Sequence, residues 1–459
     1  MTPSVEFDPG LVRRHDVAGP RYTSYPTAPW FHEGFGVDDY EASAAMADAR
    51  RPLSLYFHLP FCATLCFYCA CNKVVTKNRA HAGPYLERLA REIELQAELF
   101  GGRPSVDQLH WGGGTPTFLD AARLQWLFEH IRRAYPLRDD DGGDYSIELD
   151  PRTVDRETIG LLRRLGFNRA SLGVQDLNEE VQRAVNRIQP EAVTRATLDA
   201  CREAGFRSLN VDLIYGLPLQ TLHSFTRTID RVIELAPDRI ALYNYAHLPE
   251  RFPPQRRIRA EDLPGPEERL AILRRAIAHL TEAGYVYIGM DHFALPDDEL
   301  ARAQRAGTLT RNFQGYSTHG GCDLVAHGIS AIGAFGNCYS QHSRERGPYY
   351  EALDAGRLPV ARGLTLSPDD RLRRDVIMRL MCDFALDVPT LERQHGIDFE
   401  QALAAECAAL EPLIADGLVR WQGRRLEVTS VGRLLVRNVA MVFDRYLQRD
   451  RDTRYSRAI

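Results

Sequence analysis

Four of the nine cysteines, Cys62, Cys66, Cys69 and Cys71, lie within ten residues, in the segment Tyr56-Phe-His-Leu-Pro-Phe-Cys-Ala-Thr-Leu-Cys-Phe-Tyr-Cys-Ala-Cys71. Thiolates are soft ligands that suit iron–sulfur clusters and zinc. The spacing Cys62-x3-Cys66-x2-Cys69 supplies three thiolates from one loop. Three thiolates on a four-iron cube leave one iron open to a small chelating molecule. The amino and carboxylate groups of S-adenosylmethionine can fill that position. An electron from the cluster then cleaves its carbon–sulfur bond and gives a 5′-deoxyadenosyl radical, a strong hydrogen-atom abstractor. The alternative is zinc held by all four cysteines. Structural zinc pairs two cysteine knuckles well apart in sequence, and neither a second knuckle nor a histidine pair is present. The spacing therefore favours a [4Fe–4S] cluster on Cys62, Cys66 and Cys69, with Cys71 as an additional thiol.

Other residues could serve the same chemistry. Gly112-Gly113-Gly114-Thr115-Pro116-Thr117 follows an apolar run, and glycines let a ligand approach the backbone closely. Glu148, in Ser-Ile-Glu-Leu-Asp-Pro, could accept hydrogen bonds from a ribose. Gln175 says little alone. Arg187 suits a carboxylate. Asp212, among apolar neighbours in Asn-Val-Asp-Leu-Ile-Tyr-Gly-Leu-Pro, must be paired or functional. Only Lys73 and Lys77 are lysines, and both follow the cysteine cluster; every other basic side chain except histidine is arginine.

These residues need elements to hold them. Strand-like runs are predicted at 53–58, 106–111, 145–150, 169–174, 208–215, 239–245 and 286–290. Amphipathic helices are predicted between them, at 85–100, 121–134, 193–204 and 222–235 among others. Repeated strand-then-helix units imply a parallel sheet with helices outside. His58, the triple glycine, Glu148, Gln175, Asp212 and Asn244 fall toward strand C-termini, where α/β barrels place their chemistry. Near residue 365 the pattern becomes mainly helical, with helices at 367–384, 399–414 and 431–446 and a hairpin at 418–428. That tail has a winged-helix look, although a packing or lid domain explains it as well. The expected division is an arm and lead-in over 1–50, an α/β body over 51–364 and a helical cover over 365–459. A net charge of −5 gives no basic field for nucleic acid. No apolar run reaches the ~20 residues of a membrane span, and the first twenty residues carry no apolar segment of a secretion signal. A cytoplasmic protein is expected.

Together these residues resemble the oxygen-independent coproporphyrinogen III oxidase family of the radical S-adenosylmethionine superfamily. The marks that carry the resemblance are Arg21–Thr27, the Cys71-Asn72-Lys73 extension, His110–Thr117, Gly173-Val174-Gln175-Asp176, Asp212–Pro218, Asn312–Tyr316 and Arg454-Tyr455-Ser456-Arg457. The resemblance implies a partial (β/α)6 TIM-like barrel with an N-terminal arm and a mainly helical C-terminal domain. It implies a reaction in which two propionates of coproporphyrinogen III each lose a β-hydrogen, carbon dioxide and one electron, becoming vinyl groups of protoporphyrinogen IX. It implies one cluster and two S-adenosylmethionine molecules. The first would contact Tyr56, Gly113, Glu148 and Ile332. The second would contact Tyr68, Gly114, Thr115, Gln175, Arg187, Asp212 and Ala246; at Tyr68 the family often carries Phe. Cys71, Tyr56 and His58 are the candidate catalytic side chains. Lys73, His58 and the Arg21 arm are candidates to meet the substrate carboxylates. A flavodoxin- or ferredoxin-type electron donor, a monomer, and no nucleic-acid or membrane partner complete the expectation. Within the same resemblance, a heme-binding relative without oxidase activity is the alternative. A zinc-bearing nucleic-acid-binding protein is the reading from a different class.

Overall fold

The structure, a computed structural model, describes residues 5–447. The chain forms two compact units. One comprises residues 31–272 and 321–365, the other residues 1–30, 273–320 and 366–459. Residues 31–50 thus belong with the α/β body, and 273–320 with the arm and the C-terminal region. The sequence Arg454–Arg457 lies outside the described residues.

The first unit is built on parallel strands β1 (Leu53–Leu59), β2 (Val106–Gly113), β3 (Asp144–Leu149), β4 (Arg169–Gln175), β5 (Ser208–Tyr215) and β6 (Arg239–Asn244), hydrogen-bonded in that order. Helices α1 (Gly83–Phe100), α2 (Ala121–Ala134), α3 (Arg156–Leu165), α4 (Glu191–Ala204) and α5 (Leu222–Leu235) connect them. This is the partial barrel of the expected class. On the far side of β1 the sheet continues through β7 (Asp323–His327), β8 (Ile332–Phe335), β9 (Cys338–His342) and β10 (Val360–Thr365). β7 is parallel to β1, and the last three strands are antiparallel.

The period-two alternation of the strands separates core from site. In β4, Ala170, Leu172 and Val174 are buried, while Ser171, Gly173 and Gln175 are half-buried. In β5, Leu209, Val211 and Leu213 alternate in the same way with Asn210 and Asp212. In β3, Tyr145, Ile147 and Leu149 alternate with Ser146 and Glu148. The buried set joins the apolar stripes of the helices, such as Leu124, Leu127 and Ile131 of α2, each fully buried. Each such side chain contributes about 1.5–3 kcal/mol by leaving water. Asp120 and Thr221 cap α2 and α5 by accepting backbone N–H bonds from Arg123 and Ser224, which fixes where those helices begin.

The strand expected over 286–290 forms as Val286–Gly289 and belongs to the other unit. Val286–Gly289 pairs antiparallel with His292–Ala294 in a tight hairpin. The helix expected over 399–414 is three short helices, Phe399–Ala402, Ala404–Ala409 and Glu411–Ala415. The one expected over 431–446 is a 3-10 turn, Gly432–Leu435, followed by helix Val436–Met441. The helix Pro368–Asp383 and the hairpin Val419–Gln422/Arg425–Val428 form as expected, with a third strand, Ala385–Asp387, added to the hairpin. No helix among the described residues is long and apolar enough to cross a membrane.

Candidate active site

A cavity of about 480 Å³ opens at the C-terminal ends of β1–β5. That is the size of a small-molecule site. Cys62, Cys66, Cys69 and Cys71 line it together with Tyr68, Gly113, Gly114, Thr115, Glu148, Gln175, Arg187 and Asp212.

The register of β1 against β2 sets Leu59 beside Gly113. The chain beyond β2 folds tightly onto the cysteine segment, with Gly114 N–H donating to Leu59 O at 2.9 Å and Thr115 N–H to Phe61 O at 2.8 Å. A Cβ on Gly114 would lie 2.6 Å from the Pro60 carbonyl carbon, so only glycine permits this approach. Gly113 has φ +108°, a conformation open to glycine.

Each of the three sulfurs meets a donor. Thr115 Oγ1 donates to Cys62 Sγ at 3.6 Å. Arg187 and Arg152 approach Cys66 Sγ at 3.7 and 3.9 Å. The Cys71 thiol donates to Cys69, which, against the effect of burial, holds the Cys69 thiol down at about 6. Burial pushes the Cys62 thiol up to about 11, so binding as a thiolate there needs a cationic centre to displace the proton.

Carboxylates line the opposite wall. Glu148 accepts from Gly113 N–H at 3.0 Å and meets His110 Nε2 at 3.3 Å. Burial raises its pKa, but the His110 hydrogen bond and charge and the Gly113 N–H outweigh it and hold the group below the usual range. Asp212 accepts from Ser171 Oγ at 3.0 Å and Asn210 Nδ2 at 2.8 Å. Burial, then the Glu148 charge, raises it to about 6. Arg187 donates to Gly173 O at 2.6 Å and pairs with Asp150 at 3.3 Å, while its buried Nε finds no partner among the described residues.

The model of the Radical SAM superfamily matches residues 56–232, and that of the HemN C-terminal domain matches residues 366–435. The oxygen-independent coproporphyrinogen III oxidase of Pseudomonas aeruginosa is 54% identical over the whole of both chains. That of Escherichia coli K12 is 49% identical over 99% of each. A solved structure, described as coproporphyrinogen III oxidase (HemN) from Escherichia coli, a radical SAM enzyme, superposes with a TM-score of 0.93 at 48% identity. It covers 97% of this chain and 100% of that one. The chain belongs to this family.

The cofactors of an oxygen-independent coproporphyrinogen III oxidase are a [4Fe–4S] cluster and S-adenosylmethionine, and the residues present fit both. Cys62, Cys66 and Cys69 reach the cavity from one loop. Three thiolates suit a four-iron cube with one iron left open, whereas structural zinc is closed by four ligands. The unpartnered Arg187 Nε and the carboxylates of Glu148 and Asp212 suit the charged and hydroxyl groups of the second cofactor.

Of the expected catalytic and cofactor-contacting residues, Ala246, Ile332, Tyr56 and His58 lie outside the cavity lining. Ala246 is exposed just after β6, and Ile332 opens β8. Tyr56 and His58 lie beneath the wall. His58 Nε2–H donates to Asn72 O at 2.9 Å, so Nδ1 of the neutral ring accepts from Tyr56 O–H at 3.1 Å. Burial lowers the His58 pKa, so His58 is no cationic contact for a substrate. Lys73 lines the cavity, but its ammonium donates to Cys69 O at 3.0 Å and Cys71 O at 3.3 Å. Arg21 is ion-paired with Asp291. The cavity also brings in Asp150, Arg152 and Ser171, which sequence reasoning missed, and Gly173, which it named only as part of a family mark. Ser171 and Gly173 share the strand parity of Gln175, and that was the available signal.

Proposed function

We propose that this chain converts two propionates of coproporphyrinogen III to the vinyl groups of protoporphyrinogen IX, without oxygen, in heme biosynthesis. Each conversion removes one hydrogen atom, one carbon dioxide and one electron. The observation that carries the reading is the convergence of the cysteine triad, the Gly113–Thr115 turn, Glu148, Gln175, Arg187 and Asp212 on one cavity, in a chain so similar end to end to named oxidases.

In this reading Cys62, Cys66 and Cys69 hold the cluster. Together, cluster and S-adenosylmethionine supply the hydrogen-abstracting radical. Glu148 and the Gly113 backbone orient one S-adenosylmethionine, with Tyr56 and Ile332 completing its surroundings. Tyr68, Gly114, Thr115, Gln175, Arg187, Asp212 and Ala246 surround the second. Cys71 stands at the cavity rim as the catalytic thiol. His58 and Tyr56 serve it through the backbone, because His58 holds the Asn72 carbonyl next to Cys71. The enclosing strands keep water from a reactive carbon radical. A flavodoxin- or ferredoxin-type protein donates the electron. The enzyme is a cytoplasmic monomer.

The test is substitution of each ligand. Cys62→Ala, Cys66→Ala and Cys69→Ala should each abolish the four-iron signal in electron paramagnetic resonance and all cleavage of S-adenosylmethionine. A variant that keeps a reducible four-iron signal refutes the ligand assignment.

A further inference from the structure

The three sulfurs do not share one electrostatic environment. Cys62 meets a neutral hydroxyl, and Cys69 meets the Cys71 thiol and the single Lys73 ammonium. Cys66, 9% exposed, meets two guanidinium groups. Arg152 sits in the 3-10 turn Pro151–Thr153, directly after β3. Asp150, 8% exposed, caps that turn by accepting Arg152 N–H at 3.1 Å. Its carboxylate then grips the same arginine twice, at 2.9 Å to Nε and 2.6 Å to the terminal nitrogen. A planar guanidinium held in this bidentate way has little freedom left. Its terminal nitrogen is the atom that lies 3.9 Å from Cys66 Sγ. Asp150 also holds Arg187 at 3.3 Å. Two cations and one anion therefore leave one net positive charge fixed beside Cys66, where burial weakens screening.

We propose that Arg152, fixed by Asp150, is a positioning residue that sets the reduction potential of the cluster through Cys66. This rests on the reading of Cys62, Cys66 and Cys69 as cluster ligands. The reductive step takes one electron from a one-electron donor, dithionite in the assay below, and neither forms nor breaks a bond. It adds one negative charge to the cube. A fixed cation and an N–H directed at a ligand sulfur favour the more negative state, so Arg152 makes the cluster easier to reduce. Arg187 also belongs to the proposed S-adenosylmethionine site, so the test leaves it in place.

The two partners have opposite charges, and their removal must move the potential in opposite directions. The experiment is a dithionite titration of the reconstituted full-length enzyme, without S-adenosylmethionine, followed by electron paramagnetic resonance. Arg152→Gln is expected to disfavour reduction about tenfold, a midpoint shift of ~59 mV to lower potential for one electron. Asp150→Asn is expected to raise the midpoint, and Arg152→Lys to restore most of the wild-type value. A disordered loop would move Arg152→Gln and Asp150→Asn the same way. Shifts of one sign, or midpoints indistinguishable from wild type, overturn the proposal. If Arg152→Gln takes up no cluster, the sign of the Asp150→Asn shift decides. Loss of the cluster in both makes the pair a folding element and also overturns it. A wild-type protein without a four-iron signal would refute the ligand reading instead.

Discussion

Substituting Gly114 by alanine tests how tightly the cysteine segment must be clamped to the end of β2. The added Cβ would lie 2.6 Å from Pro60 C, 2.7 Å from Pro60 O and 2.8 Å from Phe61 O. Non-bonded carbon contacts are favourable at about 3.5–4.0 Å, and all three opposing atoms are backbone. The two chains must therefore separate by roughly 1 Å, measured against that optimum. The bonds Gly114 N–Leu59 O at 2.9 Å and Thr115 N–Phe61 O at 2.8 Å cross that gap. Losing both costs about 1–3 kcal/mol at ~0.5–1.5 kcal/mol each, and overpacking adds a similar ~1–3 kcal/mol. The shift also draws Thr115 Oγ1 away from Cys62 Sγ. Gly114→Ala is expected to melt several degrees below wild type and to bind well under half the wild-type iron and sulfide after anaerobic reconstitution. Gly265→Ala, where a Cβ meets nothing within 4 Å, serves as the control and should behave as wild type. A Gly114→Ala protein with full iron and unchanged turnover would refute the requirement for this close approach.

Three further outcomes are expected. Glu148→Gln weakens the charged anchor on Gly113 N–H and His110, worth about 1.5–3 kcal/mol, and should raise the S-adenosylmethionine Kd about tenfold to a hundredfold in equilibrium dialysis; an unchanged Kd contradicts the role. Cys71→Ala should keep the cluster signal and lose product formation, and wild-type turnover would remove the thiol from the mechanism. The Asp212 carboxyl is raised to about 6, so the folded apo-protein binds that proton more tightly than the unfolded chain does. This group then adds stability as pH falls from above 6 toward 4. Melting curves at pH 7 and pH 5 should show Asp212→Asn losing that gain relative to wild type; an identical pH response in both proteins counts against it.

The barrel was legible where local pattern and tertiary role coincide. α2 and α5 form over the expected residues because Asp120 and Thr221 start them. β1–β6 follow from apolar alternation. β7–β10 were not legible: they are four to six residues long, carry polar side chains such as His327 and Gln341, and only one helix, Arg346–Asp354, falls among them, so no strand–helix period is set. Val286–Gly289 carries the same apolar signal as a barrel strand. What decides its fate is a tight reversal with φ +143° at Gly289 and φ +51° at Met290, which folds it back as a hairpin. The cysteine triad and the strand-end residues were legible because their residue types are rarely placed there for packing alone. Arg152 was not, since its partner Cys66 stands 86 positions away in the chain and nothing local marks the pairing. Lys73 shows what local pattern leaves out. Its type and place near the cluster were visible, and it does line the cavity. The Cys69 and Cys71 carbonyls that hold its ammonium follow only from the fold of the loop.

The most direct test of the account is product analysis after anaerobic reconstitution with iron and sulfide, using coproporphyrinogen III, S-adenosylmethionine and a one-electron reductant. The account predicts protoporphyrinogen IX with two carbon dioxide molecules released per porphyrinogen, and no product when S-adenosylmethionine or iron is omitted. A protein that carries the cluster and cleaves S-adenosylmethionine yet only binds heme stoichiometrically, leaving coproporphyrinogen III intact, would contradict it.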